Sequence, residues 1–188
     1  MAKSTLDDEK RLTACLLDKK MLLPLVDTSN LASYLMRYQE LNATQHTHLK
    51  TVFNDDRIVF IQGETARNAL VEPIMKIAKS AKLEVEIISP SLVGSKQFAK
   101  KAKLLPDTFW GSIKSLFIDD TPRHYSVMQF LARGSEQTST HNQVPHILIV
   151  DNAHLLSTRQ KADLVEWNTK HSSKLILLGE MHTLLPQK

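Results

Sequence analysis

The chain has 188 residues, 42% of them hydrophobic and 23% charged, a composition typical of a globular protein. Its net charge of +4 is permissive for nucleic acid but not diagnostic of it. The single cysteine, Cys15, excludes an internal disulfide and fits a reducing compartment. No apolar run approaches the ~18 residues that cross a bilayer, and the first residues lack a signal-peptide core. We therefore expect no membrane insertion.

Residues 1–41 are predicted to form a helical region. The stretch "LTACLLDKKMLLPLV" carries apolar residues at helical spacing until Pro24 interrupts it. In "TSNLASYLMRYQEL", a cap at Thr28, Ser29 or Asn30 is followed by an apolar stripe along one helix face. The stripe consists of Leu31, Tyr34, Leu35, Tyr38 and Leu41. We interpret it as core packing rather than a cofactor site.

Residues 42–188 alternate between strand and helix patterns. Four apolar runs predict strands: "RIVFIQ", "LEVEIIS", "PHILIVD" and "KLILLG". A helical repeat follows Gly63, and Pro73 predicts either a kink or a late start of its regular part. Ser157 and Gln160 form a capping box that begins another helix, and the polar stretch at 134–145 predicts a loop. The expected fold is α/β, with a parallel sheet and right-handed crossovers.

The turn "GETARNAL" lies where a nucleotide-binding protein places its phosphate loop, between a strand and a helix. Such a loop needs glycines that let backbone N–H groups surround the phosphates. It also needs a lysine for the phosphate oxygens and a Ser or Thr hydroxyl for magnesium. The turn contains one glycine, Gly63, and no lysine.

Four segments occur in the order found in superfamily 1 helicases of the RecD type. They are "LNATQHTHLKTVFNDDRIVFIQG", "GETARNAL", "HILIVDNAHLLS" and "KLILLGEMHTLLP". The chain resembles these helicases in the order and spacing of the segments. The resemblance implies a RecA-like first helicase lobe, in which Gln45 stands at the glutamine that contacts adenine.

Several positions depart from the helicase pattern. In the phosphate loop, Ala66 and Asn68 stand for glycines, Ala69 for the lysine and Leu70 for the metal-binding hydroxyl. Losing the lysine and the hydroxyl removes the positive charge on which phosphoryl transfer depends.

The third and fourth segments have also changed. Asp151 is kept, but Asn152 replaces the glutamate that activates water, and an amide cannot act as a general base. Glu180 replaces an aspartate, and Thr183 replaces the glutamine that senses the γ-phosphate. Together these losses predict a domain that has kept the fold without ATP hydrolysis, with no cofactor and no metal.

This combination resembles the vestigial RecD-like helicase domain of TraI-type conjugative relaxases. The resemblance implies single-stranded DNA as a partner, neighbouring relaxase and helicase domains in a larger chain, and the bacterial cytoplasm. It also implies overlap with a signal recognised by the type IV secretion apparatus, whose coupling protein becomes a candidate partner. It covers about residues 42–188, with 1–41 as the preceding helical region.

In helicases of this group, the loop after the second core strand contacts the DNA backbone. Here that loop begins with "SPS", whose Ser89 and Ser91 can donate to phosphates, and it continues into the densest basic run of the chain. The predicted DNA-binding residues are Ser89, Ser91, Lys96, Lys100, Lys101, Lys103, Phe109 and Trp110, with Arg67 and Arg123 as weaker candidates. An aromatic residue beside a basic run is the pairing that single-strand grooves use for stacking.

Two alternatives remain open. One is an atypical ATPase whose lysine comes from Lys76 or Lys79, although it would lack a magnesium ligand and a base. The other is an interaction domain that docks a secretion coupling protein and ignores DNA, because a basic run suits an acidic protein equally well. His46 and His48 are predicted to lie on a helix, where positions two apart diverge, so a metal site is not expected there.

Overall fold

A computed structural model describes residues 2–17, 24–102, 123–136, 147–171 and 173–179. Its helices are α1 (Ala2–Leu17), α2 (Thr28–Leu35), α3 (Ala43–Phe53), α4 (Glu64–Ser80), α5 (Leu92–Ala102), α6 (Val127–Glu136) and α7 (Thr158–His171). Its strands are β1 (Ile58–Gln62), β2 (Val85–Ser89), β3 (Arg123–Ser126), β4 (Ile147–Val150) and β5 (Lys174–Gly179). A 3-10 turn, Ala153–Leu155, separates β4 from α7.

The five strands form one parallel sheet in the order β1-β5-β4-β2-β3. Because all strands point the same way, their last residues share one edge of the sheet, which we call the carboxyl edge. The register places Gln62 beside Gly179 and Ile88 beside Val150 at this edge. The α/β parallel-sheet fold predicted from the sequence is confirmed, and it is consistent with a RecA-like lobe.

Alternate residues of the buried strands serve two separate cores. In β4, Ile147 and Ile149 pack with α2, α3, α4 and α5 on the first face of the sheet. Leu148 and Val150 pack with α1, α6 and α7 on the second face. This coverage of both faces explains why β4, at the centre of the sheet, is apolar throughout.

The helix positions follow from the strand order. The chain moves outward from β1 to β2 to β3, and the intervening α4 and α5 lie on the first face. It then returns from β3 through β4 to β5, and α6 and α7 lie on the second face. This distribution is what right-handed crossovers require. The connection that leaves β2 passes over the first face, whereas the connection that leaves its neighbour β4 passes over the second face. The carboxyl ends of these two strands therefore border a topological switch point, the place where open α/β sheets bind ligands.

The N-terminal helical region contributes to both cores. Leu12 of α1 is buried on the second face, where Arg11 donates to Asp163 at 3.1 Å and to Glu166 at 2.6 Å on α7. Leu31 and Leu35 of α2 are buried on the first face. The predicted stripe is therefore core-facing, as expected. Its helix ends at Leu35, because the next residues form turns.

Two details of the predicted helices are settled by the structure. Helix α4 begins immediately after Gly63 and continues through Pro73, so the late-start alternative is wrong. Helix α7 begins with the predicted capping box, in which Gln160 N donates to Ser157 Oγ at 3.2 Å and Ser157 N donates to Gln160 Oε1 at 3.0 Å. No helix within the described ranges has the length and hydropathy needed to cross a bilayer.

Candidate nucleic-acid interface

The connection from β1 to α4 consists of one residue. Gly63 has φ +86° and ψ 143°, and Glu64 is already helical. A positive φ of this size favours glycine, and a Cβ built on Gly63 would meet no atom within 4 Å. The turn therefore keeps the glycine that starts a phosphate loop, but not the longer loop that would curl around a phosphate.

The residues that would hold nucleotide and metal belong to helix α4 and its core. Leu70 is completely buried on the first face, among residues such as Ile74 and Ile61. Ala69 is half-buried and packs against the same core. A hydroxyl in place of Leu70 would face hydrocarbon rather than a metal ion, because the packing places this side chain in the core.

Gln45 is engaged in a helix cap. Its Oε1 accepts a hydrogen bond from Asn42 N at 2.9 Å, and its backbone N donates to Asn42 Oδ1 at 2.9 Å. This reciprocal pair is a capping box that begins α3. Gln45 therefore has a structural role in the described conformation, and its predicted contact with adenine stays a prediction.

Asp151 and Asn152 follow β4 at the carboxyl edge. Asp151 is 3% exposed, and its N–H donates to Ile88 O at 2.8 Å, which extends the pairing of β4 with β2. Asn152 adopts left-handed backbone angles, with φ 52° and ψ 42°, and its Nδ2 donates to Asp151 Oδ2 at 2.9 Å. The amide thus holds the neighbouring carboxylate at the position where a helicase would activate water.

The two serines of the "SPS" loop have different surroundings. Ser89 is 2% exposed, and a Cβ added to Gly94 would lie 2.7 Å from its Oγ, so this hydroxyl lies beneath the start of α5. Ser91 is exposed, and its Oγ accepts from Gly94 N at 3.1 Å. Because a hydroxyl can accept and donate together, Ser91 retains a hydrogen that an incoming phosphate could accept.

Several side chains at this edge are exposed. Leu92 and Val93 follow β2, Met128 follows β3, and Leu155 lies in the turn after β4, with exposed fractions of 45% to 66%. Lys96 is exposed one turn into α5. We call Ser91, Leu92, Val93, Lys96, Met128 and Leu155 the carboxyl-edge surface. The apolar members were not predicted from the sequence, because their strand ends become neighbours only through the order β4-β2-β3.

Several other predicted DNA-binding and nucleotide-site residues lie outside the described side chains. Lys100 and Lys101 belong to α5 and Arg67 to α4, but their side chains are not among the described ones. Lys103, Phe109 and Trp110 lie outside the described residues, as do Glu180 and Thr183. For these positions the sequence-based predictions stay predictions.

Arg123 lies away from the carboxyl-edge surface. It begins β3, at the opposite edge of the sheet, and its guanidinium lies 3.6 Å from Glu86 Oε1 and 4.0 Å from Glu84 Oε2. Glu86 is 1% exposed and also pairs with Arg133 at 3.0 Å. Since a buried carboxylate needs cationic partners, the structure gives Arg123 a stabilising role at the far edge.

The alternative nucleotide lysines are also distant from Gly63. At 1.5 Å rise per residue, Lys76 and Lys79 lie about 20 Å or more along the α4 axis from the turn. A lysine side chain is far shorter than this separation. The geometry therefore weighs against an ATPase that recruits either lysine to a phosphate at Gly63.

Gly179, at the end of β5, packs tightly against the turn after β4. A Cβ there would lie 2.7 Å from His154 Nδ1 and 3.2 Å from His154 N, and its φ is +157°. We expect Gly179→Ala to lower the free energy of unfolding by about 1–2 kcal/mol, because the His154 ring must move to admit the methyl group and the backbone N of His154 must shift by a few tenths of an ångström. Urea denaturation followed by circular dichroism measures the change; unchanged stability would mean that the turn yields freely.

Within the described ranges, no three His, Cys, Asp or Glu side chains converge as metal ligands would. Comparison with known proteins found neither a protein-family model that matches the chain nor a curated protein similar to it.

Proposed function

We propose that this chain is a nonhydrolytic single-stranded-DNA-binding lobe, derived from a RecD-like helicase and acting in the bacterial cytoplasm as part of a conjugative relaxase. The observation that carries the proposal is a contrast at the carboxyl edge. After β1, the positions that would contact a nucleotide belong to helix α4, where Leu70 is buried. At the β2–β4 switch point, Ser91 and Lys96 are exposed.

The chemistry of the carboxyl-edge surface suits a nucleic-acid strand better than a nucleotide. Ser91 and Lys96 are donors for phosphate oxygens, and the start of α5 places further backbone N–H groups at the same end. The exposed Leu92 and Val93 offer apolar contact to unstacked bases. A nucleic-acid strand can use exposed donors and apolar side chains of this kind, whereas bound ATP needs an enclosed phosphate loop.

Two assays on the purified chain test the proposal. Anisotropy of a fluorescein-labelled oligothymidylate should rise with protein concentration, and the affinity should fall as salt is raised, because phosphate contacts release counterions. ATP hydrolysis should stay at background with and without the oligonucleotide. DNA-stimulated hydrolysis would overturn the nonhydrolytic assignment, and a flat anisotropy titration at low salt would overturn DNA binding.

Charge reversal at Lys96 tests the location. We expect Lys96→Glu to lower oligothymidylate affinity several-fold, because one phosphate contact becomes a repulsion. Lys10→Glu is the matched control, since Lys10 is exposed on α1, on the second face of the sheet. If both variants bind oligothymidylate like the wild type, the DNA does not contact the carboxyl-edge surface.

A second candidate function is protein docking, with a type IV secretion coupling protein as the expected partner. The observation that favours it is the row of exposed apolar side chains, Leu92, Val93, Met128 and Leu155. If these side chains form the docking site, replacing Met128 and Leu155 with serine should abolish pull-down of the coupling protein. Loss of DNA affinity in this variant would instead assign the apolar row to the strand.

A further inference from the structure

An open groove lies between α2 and α4 on the first face of the sheet. Its volume is about 470 Å³, which is within the range of ligand-binding clefts. We call it the α2–α4 groove; its exposed or half-exposed lining consists of Tyr34, Arg37, Tyr38, Lys76, Lys79 and Ser80. The groove is therefore lined by two tyrosine rings, three cations and a hydroxyl.

The aromatic wall is held in place by the fold. Tyr34 and Tyr38 are half-buried against the first core, so part of each ring is fixed and part remains accessible. Backbone hydrogen bonds from Arg37 N to Tyr34 O and from Tyr38 N to Leu35 O, both 3.1 Å, hold the turn that carries them. Burial raises the pKa of Tyr38 above its ordinary value, so its hydroxyl stays protonated at neutral pH.

The opposite wall is cationic. Lys76 and Lys79 lie one turn apart near the end of α4, and Lys76 pairs with Glu72. Arg37 lies across the groove, with its guanidinium carbon 5.6 Å from the centre of the Tyr34 ring. The three cations outnumber the two carboxylates that act on Tyr38, those of Glu72 and Glu40, so the groove carries an excess of positive charge. A ligand with both anionic groups and flat rings matches such walls.

We propose that the α2–α4 groove binds a segment of single-stranded DNA, with a base stacked on Tyr38 and phosphates held by Arg37 and Lys79. Stacking rings interleaved with cations are the combination that sequence-tolerant strand binding uses. An acidic peptide would use the cations but not the tyrosine faces. The inference takes its ligand from the proposed function, but its evidence is independent of the carboxyl-edge surface.

The groove and the carboxyl-edge surface can serve one strand. Helices α4 and α5 lie on the same face of the sheet, and the groove is formed by the last turns of α4. The length of α4 separates these turns from the carboxyl edge by about 25 Å. A DNA strand that contacts both places would cross the outer surface of the helices that cover the first face. A long oligonucleotide should therefore bind more tightly than one too short to span this distance.

Charge reversal in the groove tests the inference. We expect Arg37→Glu combined with Lys79→Glu to lower the affinity for a long fluorescein-labelled oligothymidylate roughly ten-fold. The salt slope should fall by about 1.4, since each single-strand phosphate contact contributes about 0.7. The matched control is Lys10→Glu combined with Lys170→Glu, which makes the same charge change on α1 and α7. Circular dichroism checks that both variants are folded.

Crosslinking gives a second measurement that does not depend on the variants. An oligothymidylate containing 5-bromodeoxyuridine, irradiated with the wild-type protein, should form adducts at Tyr34 or Tyr38 that mass spectrometry locates. If adducts form only elsewhere and the groove variant keeps wild-type affinity, DNA binding in the α2–α4 groove is contradicted. Labelled polyglutamate binding that the groove variant loses, without tyrosine adducts from the oligonucleotide, would overturn it in favour of an acidic protein partner.

The outcomes separate this inference from the proposed function. If Lys96→Glu weakens binding and the groove variant does not, the proposed function stands and the groove is wrong. If only the groove variant weakens binding, the groove stands and the carboxyl-edge location is wrong. If the wild-type chain binds no oligothymidylate, both proposals fall together.

Discussion

Replacing Leu70 with threonine, the residue type that a working phosphate loop carries there, is expected to lower the free energy of unfolding by about 3 kcal/mol. Leu70 is fully buried in the first core, and removing buried carbons leaves a cavity. The new hydroxyl would also lie in an apolar environment, where its best acceptor is a backbone oxygen one turn earlier in α4. The substitution that gives position 70 the residue type of a phosphate loop therefore damages the packing of α4 against the sheet.

The measurement is urea denaturation followed by circular dichroism, with Leu155→Thr as the matched control. Leu155 is 66% exposed at the carboxyl edge, so the same substitution there should change stability by less than about 0.5 kcal/mol. Equal, small effects at both positions would mean that Leu70 is not in the core, and that the α4 side chains could instead face a bound nucleotide.

This expected result bears on the proposal that the chain derives from a nucleotide-binding lobe. Substitution of the lysine alone would leave a phosphate loop that a single mutation could restore. Here the turn has one residue, Ala69 and Leu70 pack against the core, and Asn152 holds Asp151. Each of these positions has a structural role, so placing a lysine at Ala69 and a threonine at Leu70 would disturb packing without forming a loop. This is our reason for proposing binding without hydrolysis.

The sequence predicted four of the five described strands because buried parallel strands are rich in apolar residues. The fifth strand, β3 (Arg123–Ser126), was not predicted, since its sequence "RHYS" is short and polar. It lies at the sheet edge, where its side chains are exposed or half-exposed and apolar residues are not required. Tertiary pairing with β2 makes it a strand, and no local pattern encodes that pairing.

Capping boxes account for one success and two omissions. Ser157 and Gln160 were recognised, and the same spacing occurs at Ser126–Gln129, where Gln129 N donates to Ser126 Oγ at 3.2 Å and α6 begins. It also occurs with asparagine at Asn42 and Gln45. Applying the same rule to these pairs would have located the starts of α6 and α3. It would also have indicated a capping role for Gln45.

The candidate surfaces were less accessible to sequence reasoning than the fold. Lys96 was predicted because lysine runs are local, whereas Leu92, Met128 and Leu155 lie on different segments. Tyr34 and Tyr38 were predicted as core residues, and both do pack against the core. Their exposed ring portions become a groove wall only because α4 places Lys76 and Lys79 opposite them.

Lys174 provides the second large expected effect, through the dependence of stability on pH. It begins β5 and has no exposed surface, and its Nζ donates to the backbone oxygens of Thr51, Asn54 and Asp56 at the end of α3. Burial lowers its pKa from 10.5 to about 8, although the nearby Asp56 and Asp55 partly oppose the shift. The ammonium therefore links the sheet to α3 at an electrostatic cost.

The direction of the pH effect follows from proton binding. Between pH 8 and pH 10.5 the unfolded chain keeps a proton on Lys174 that the folded chain releases, so the free energy of unfolding rises with pH across this window. The full increase in the free energy of unfolding is about 3 kcal/mol. Below pH 8 this increase is absent, because Lys174 is protonated in both the folded and the unfolded chain. Lys174→Met removes it, together with three hydrogen bonds to backbone oxygens, and should also destabilise the protein by about 2 kcal/mol near pH 8.

The measurement is the difference in unfolding free energy between the wild type and Lys174→Met, from urea titrations at several pH values. Tyrosines and other lysines titrate in both proteins and cancel, so the difference isolates Lys174 and should widen by about 3 kcal/mol from pH 8 to pH 10.5. Lys10→Met, at an exposed position on α1, controls for the substitution itself and should shift stability by less than about 0.5 kcal/mol. A difference that stays constant across the window would contradict a desolvated Lys174, and the junction of β5 with α3 would then have to admit water.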